Sequence, residues 1–150
     1  MCSSDLADWT RSVAATSSLI TSFAAGLPIW AVTGSRRQAQ NFSFSLFADM
    51  ASAIIGLELD IRGEENLWSQ RPAVFIFNHQ SKADVVIMAR LVRRDMAGVG
   101  KQEIRKMPLI GPVMQFGGVV FIDRKNAPNA IQAMQPLVNV MRNEIGRAHV

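Results

Sequence analysis

Between Ser12 and Ser35 the chain carries no Asp, Glu, Lys or Arg, and the stretch SLITSFAAGLPIWAV inside it is strongly apolar. A bilayer-spanning helix wants about 20 apolar residues. This run is long enough, but it is rich in Ser and Thr and is interrupted at Gly26 and Pro28, where a helix is expected to break or kink. Beyond Arg36 and Arg37, FSFSLFADMASAIIGL places Phe42, Leu46, Met50, Ala53 and Ile54 near helical spacing, which predicts a second helix over 41–55. The two make an apolar helical hairpin within 7–56. Trp9 and Trp30 with Arg11, Arg36 and Arg37 suit a lipid headgroup zone, where amphipathic rings and cations settle. Two helices packed on a soluble core would satisfy the same pattern.

After Gly56 the period changes. LELDI (57–61) alternates as a half-buried strand does, and AVFIF (73–77) is the continuous apolar run of a central strand. An amphipathic helix is expected over 82–94, a short strand at 97–100, a helical segment broken by Pro108 and Pro112, and a strand at 119–122. Asn126 is placed to cap a last helix, with Pro128 in its first turn. Strands alternating with helices predict an α/β fold: the hairpin, then a mostly parallel sheet with helices on both faces.

The two ends change how the composition is read. IGRAHV (145–150) can be encoded by ATCGGAAGAGCACACGTC, whose reverse complement, read from an initiating GTG, yields MCSSD at the other end. That DNA resembles a common sequencing-library adapter, so 1–6 and 145–150 are expected to be adapter-encoded, with 7–56 the hairpin and 57–144 the start of a domain. Cys2 and His149 are then foreign. A stretch without cysteine has no disulfide framework, thiolate zinc site or cysteine nucleophile. Removing Asp5 and Arg147 takes one charge of each sign, so the formal net charge of +4 stands. A basic surface favours anionic partners, and nucleic acid, a phosphate-bearing substrate and an anionic membrane all qualify.

The remaining histidine lies in NHQSKAD, residues 78 to 84. Asn78 and His79 fall on the turn after the predicted strand, and Ser81 opens the helix, with Asp84 in its first turn. Two readings compete. Ser81-x-x-Asp84 resembles a capping box, in which Asp84 is structural. Alternatively His79, which precedes the helix, folds over its first turn beside Asp84, at the carboxyl end of a parallel strand where ligands bind. One His and one Asp are too few ligands for a closed metal site, and GVGKQ lacks the glycine and hydroxyl residue of a phosphate-binding P-loop.

Asn78-His79-Gln80-Ser81-Lys82-Ala83-Asp84, followed downstream by Gly117-Gly118-Val119-Val120-Phe121-Ile122-Asp123-Arg124, resembles the glycerolipid acyltransferase family. Gly100-Lys101-Gln102-Glu103 and Pro108-Leu109-Ile110-Gly111 between them are similar to the family's approach to the second motif. The likeness runs from about Leu57 to Glu144, and the hairpin before it looks like the membrane-binding helices of the 1-acylglycerol-3-phosphate branch. The family continues into an EGTR motif that this chain does not contain, so the resemblance implies a C-terminally truncated stretch, expected to be inactive by itself.

The resemblance implies transfer of a fatty acyl group from a thioester of coenzyme A or acyl carrier protein to the sn-2 hydroxyl of 1-acyl-sn-glycerol 3-phosphate, forming phosphatidic acid. Glycerol 3-phosphate is the alternative acceptor. His79 would act as general base, Asp84 would aim and support it, and no bound cofactor or metal would be needed. Arg124, with Lys101, would hold the substrate phosphate; Asn78 and Gly118 would complete its surroundings, although Gly117 and Gly118 are explained nearly as well by a turn. The expected partners are a phosphate-bearing lysolipid, an acyl donor and a membrane surface, at the cytoplasmic face of the inner membrane if the source is bacterial, with no nucleic acid. A basic nucleic-acid-binding module using Arg90, Arg93, Arg94, Lys101, Arg105 and Lys106 is the competing reading, and it leaves the hairpin unexplained.

Overall fold

A computed structural model describes residues 3–70, 73–81, 83–123, 125, 128, 131–135 and 137–139. The chain forms two compact units, one made of 1–61 with 79–96 and the other of 62–78 with 97–150.

The first unit is helical. Helix α1 runs Ser3–Thr33 and α2 runs Arg36–Ile55, joined at Gly34 and Ser35. The Ser35 hydroxyl accepts from the Gln38 N–H and caps α2. The predicted hairpin is therefore present, but the expected break at Gly26 and Pro28 is not: α1 passes through both. A proline removes one helical hydrogen bond and crowds the preceding turn, a cost of about 3 kcal/mol, and packing along α2 outweighs it. Gly26 lies where the helices touch most closely, since a Cβ there would collide with the Ser43 hydroxyl and the Ala39 carbonyl. Nearby, Phe23 meets Phe44 edge to face with ring centroids 5.2 Å apart.

The Ser and Thr content of α1 is accommodated in the same local way. The hydroxyls of Thr16, Thr21, Ser22 and Thr33 each donate to the carbonyl four residues back, and Ser18 donates three residues back, at 2.7–2.9 Å. With these five hydroxyls bonded to its own backbone the helix presents less unmet polarity, and Asp8–Thr33 is long and apolar enough to cross a bilayer.

Helix α3 (Ala83–Leu91) lies on α2. Phe47, Ala48 and Ala51 of α2 and Val86 and Ala89 of α3 form the buried cluster, with Leu19, Ile55 and Leu57 packed around it. Burying apolar area at about 25 cal/mol per Å² holds these faces together. The predicted strand at 57–61 does not form. Leu57 and Leu59 are half-buried and alternate with exposed neighbours as the pattern requires, but Leu57 meets its apolar need against the helices rather than in a sheet.

Charged groups fasten the end of α3 to α2. Asp49 takes Arg90 and, at 2.7 Å, Arg93. Asp95, at φ 56, receives Arg37 Nε at 2.6 Å and Asn41 Nδ2 at 3.0 Å, while its own N–H donates to the Asn41 side chain. The Arg37 hydrogen bond, with further help from Asn41, holds the Asp95 carboxyl at about 2, below its ordinary 3.8. A depressed pKa means that the stabilisation is complete above about pH 4 and is lost as pH falls through about 2. Asp95→Asn, which tolerates a positive φ, should therefore lower the melting temperature at pH 6, and the gap from the parent should close by pH 2 in circular-dichroism melts.

In the second unit, β1 (Val99–Lys101) pairs in parallel with β2 (Val120–Ile122), in the register Val99 to Val120, Gly100 to Phe121 and Lys101 to Ile122. Between them lie α4 (Gln102–Arg105) and α5 (Ile110–Phe116). The α/β class and the parallel pairing agree with the pattern. Pro108 falls in the break between the helices as expected, whereas Pro112 does not break α5: it sits in the first turn, where an N–H has no helical partner to lose. The predicted central strand at 73–77 is a correction. Among the described residues no strand pairs with it, and Val74 and Ile76 are 68 % and 93 % exposed. An apolar run becomes a strand only when another backbone accepts its hydrogen bonds. Residues 131–135 and 137–139 are helical, in keeping with the predicted last helix, while its expected cap, Asn126, lies outside the described residues.

Candidate active site

The turn into α3 is built around one carboxylate oxygen. Asp84 Oδ2 accepts from the Gln80 and Ser81 N–H groups, both at 2.7 Å, and lies 3.2 Å from His79 Nδ1. The Ser81 hydroxyl accepts from the Ala83 N–H at 3.2 Å, and the Asp84 N–H donates to the Ser81 carbonyl. The capping arrangement anticipated from Ser81-x-x-Asp84 is present, and so is the His79–Asp84 contact. The two contacts coexist, because the oxygen that closes the turn also meets the imidazole, although the strand expected to lead into them is not formed.

Electrostatics settles the direction of that contact. The N–H groups of Ser81 and Gln80 and then His79 keep the Asp84 carboxyl below its ordinary pKa against the opposing effect of desolvation. An ionised carboxylate only accepts, so Nδ1 donates to it, and in a neutral ring Nε2 would be left as the acceptor. The His79 side chain is 57 % exposed and that of Asp84 is 22 % exposed. The imidazole thus stands toward solvent while the carboxylate stays anchored. Asn78 is exposed on the coil before the turn.

Within the second unit, Lys101 ends β1 and Asp123 follows β2, so both stand at the carboxyl ends of paired parallel strands, the usual ligand edge. Lys101, Glu103, Asp123 and Lys125 line one groove of about 210 Å³. The Lys125 N–H donates to Asp123 Oδ1 at 2.9 Å, which turns the chain back after β2. Arg124, the arginine that the resemblance assigns to phosphate, lies outside the described residues. Lys125 is an addition to the residues read from sequence; the basic pair after Asp123 was its only signal.

Gly118 belongs to the turn between α5 and β2. It has φ 82, its N–H donates to the Gln115 carbonyl, and the Val119 N–H reaches Met114 at 3.0 Å. This pattern closes a helix with a left-handed residue and favours glycine there. Of the basic residues read as a nucleic-acid footprint, Arg90 and Arg93 are engaged with Asp49. Among the described residues no three His, Cys, Asp or Glu side chains gather as a metal site.

A model of the acyltransferase family matches residues 58–146. The chain is 31 % identical over 105 residues to an uncharacterized acyltransferase of Schizosaccharomyces pombe, covering 70 % of this chain and 38 % of that protein. It is 30 % identical over 112 residues to a 1-acyl-sn-glycerol-3-phosphate acyltransferase of Saccharomyces cerevisiae, covering 74 % and 37 %. Against 1-acyl-sn-glycerol-3-phosphate acyltransferase beta of Homo sapiens it is 30 % identical over 89 residues, covering 59 % and 32 %. The chain thus spans less than two fifths of the length of each of these relatives. No solved structure matches it.

Proposed function

The chain belongs to the glycerolipid acyltransferase family, and from that premise we propose that the protein carries a fatty acyl group from an acyl-CoA or acyl-carrier-protein thioester to the sn-2 hydroxyl of 1-acyl-sn-glycerol 3-phosphate, giving phosphatidic acid. The observation that carries the proposal is the His79 Nδ1 to Asp84 Oδ2 contact at 3.2 Å, which sets an anchored anion beside the imidazole.

His79 Nε2 takes the proton of the sn-2 hydroxyl as its oxygen attacks the thioester carbonyl. The new C–O bond forms, the C–S bond breaks, and the imidazolium returns the proton to the departing thiolate. Asp84 supports the transient imidazolium, as the carboxylate of a serine triad does, with the substrate hydroxyl in place of serine. Lys101 and Arg124 hold the substrate phosphate, which a planar guanidinium can grip through two oxygens, and Asn78 and Gly118 complete its surroundings. The relatives named for 1-acyl-sn-glycerol-3-phosphate support this acceptor over glycerol 3-phosphate.

The hairpin associates with a membrane, the inner membrane at its cytoplasmic face if the source is bacterial. The apolar length of α1 and the exposure of Trp9 and Trp30 support this reading. Full-length protein offered labelled acyl-CoA or acyl carrier protein with either acceptor should form phosphatidic acid from the lysolipid several-fold faster than it acylates glycerol 3-phosphate. A reversed preference would reassign the acceptor.

A further inference from the structure

The loop between α4 and α5 contains a strained turn with an exposed leucine at its tip. Leu109 has φ 65 and ψ −49, and the Ile110 N–H donates to the Pro108 carbonyl at 2.8 Å. This is the rare and strained form of the three-residue γ-turn. Its inner side is locked: the Lys106, Met107 and Gly111 N–H groups donate to the Glu103, Ile104 and Met107 carbonyls. A Cβ on Gly111 would collide with the Arg105 carbonyl. The outer side carries Met107 and Leu109, 44 % and 65 % exposed.

Glycine would adopt this φ without strain. A leucine bears the strain and leaves its side chain in water, so it gains nothing inside the fold and gains only when something covers it. The surrounding charge indicates what does. Arg105 and Lys106 precede the apolar pair directly and both are exposed, as is Lys101, with Glu103 the carboxylate among them. Apolar tips collared by cations match an anionic lipid surface, where such side chains enter the acyl boundary and cations stay at phosphate level.

We propose that the 105–109 turn is a second membrane contact: Met107 and Leu109 enter the outer acyl region of an anionic leaflet, and Arg105 and Lys106 lie against its phosphates. The inference rests on the membrane reading given above for the hairpin. It puts Lys101, the proposed phosphate contact, within a few residues of the bilayer surface, where a lysolipid acceptor resides.

Full-length protein with every native cysteine replaced by serine, labelled through Leu109→Cys or, separately, Met107→Cys with an environment-sensitive fluorophore, tests this. On vesicles of phosphatidylcholine and phosphatidylglycerol both labels should shift to the blue and be quenched by brominated acyl chains, while a label at the exposed Ser69 stays aqueous. Arg105→Gln and Lys106→Gln should each weaken that insertion by about five-fold. Vesicle-bound protein with both labels still in water would overturn the inference and leave the hairpin reading intact. Protein that does not bind vesicles at all would overturn both. Equal insertion into pure phosphatidylcholine would overturn it as well, since the cations would then contribute nothing.

Discussion

Changing Asp84 to asparagine in the full-length protein should slow acyl transfer by about 10²-fold or more while lowering the melting temperature less than Asp84→Ala does. The amide oxygen can take the position of Oδ2 and still accept from the Gln80 and Ser81 N–H groups, so the turn into α3 remains closed. Only the negative charge beside the imidazole is gone. The imidazolium formed as His79 takes the substrate proton then lacks its counter-charge, and the loss falls within the range that general-base help supplies, about 10²- to 10⁴-fold. Asp84→Ala should lose both properties, with a lower melting temperature added to the lower rate, because the acceptor that closes the turn is lost with the charge. Near-parental turnover in the asparagine variant would mean that Asp84 serves the turn alone.

The second large effect is expected on the outward face of α1. Trp9, Val13 and Leu27 recur there at near-helical intervals and are 61 %, 45 % and 49 % exposed. Deleting the hairpin would be an ambiguous experiment, since Phe47, Ala48 and Ala51 of α2 are three of the five buried residues of the cluster that holds α3, and the His79 turn leads into α3. Val13→Asp with Leu27→Asp leaves that cluster untouched. An aspartate at bilayer depth costs about 2.5–3.5 kcal/mol, so the pair should reduce vesicle partitioning by roughly 10³-fold or more, with helical content unchanged. Flotation equal to that of the parent would place the membrane contact elsewhere.

How much of this could be read in advance depended on whether the cause was local. The Ser81–Asp84 capping geometry involves atoms within a few residues and was legible from four letters. The same proximity hid its dual use, because spacing does not say that one oxygen serves both the turn and His79. The parallel pairing of 99–101 with 120–122 was legible from apolar runs flanking a helical segment. The run at 73–77 misled because its apolar character fits a strand, whereas strand formation depends on a partner backbone that its own residues do not specify. Gly26 and Pro28 misled for a related reason. Their propensities argue for a break, and the close approach of Ala39 and Ser43, thirteen and more residues away, decides for a continuous helix. At Leu109 nothing in the letters PLIG announced a positive φ on a leucine, and only the backbone shows it.

The most direct test of the account is the rate of phosphatidic acid formation from 1-acyl-sn-glycerol 3-phosphate and a labelled acyl thioester by full-length protein, parent against His79→Ala. His79 is exposed on a turn and lies outside the buried cluster, so the variant should keep its circular-dichroism spectrum and its vesicle binding. The account predicts that its turnover falls by at least about 10²-fold. A folded, membrane-bound His79→Ala protein that forms phosphatidic acid at the parental rate would contradict it.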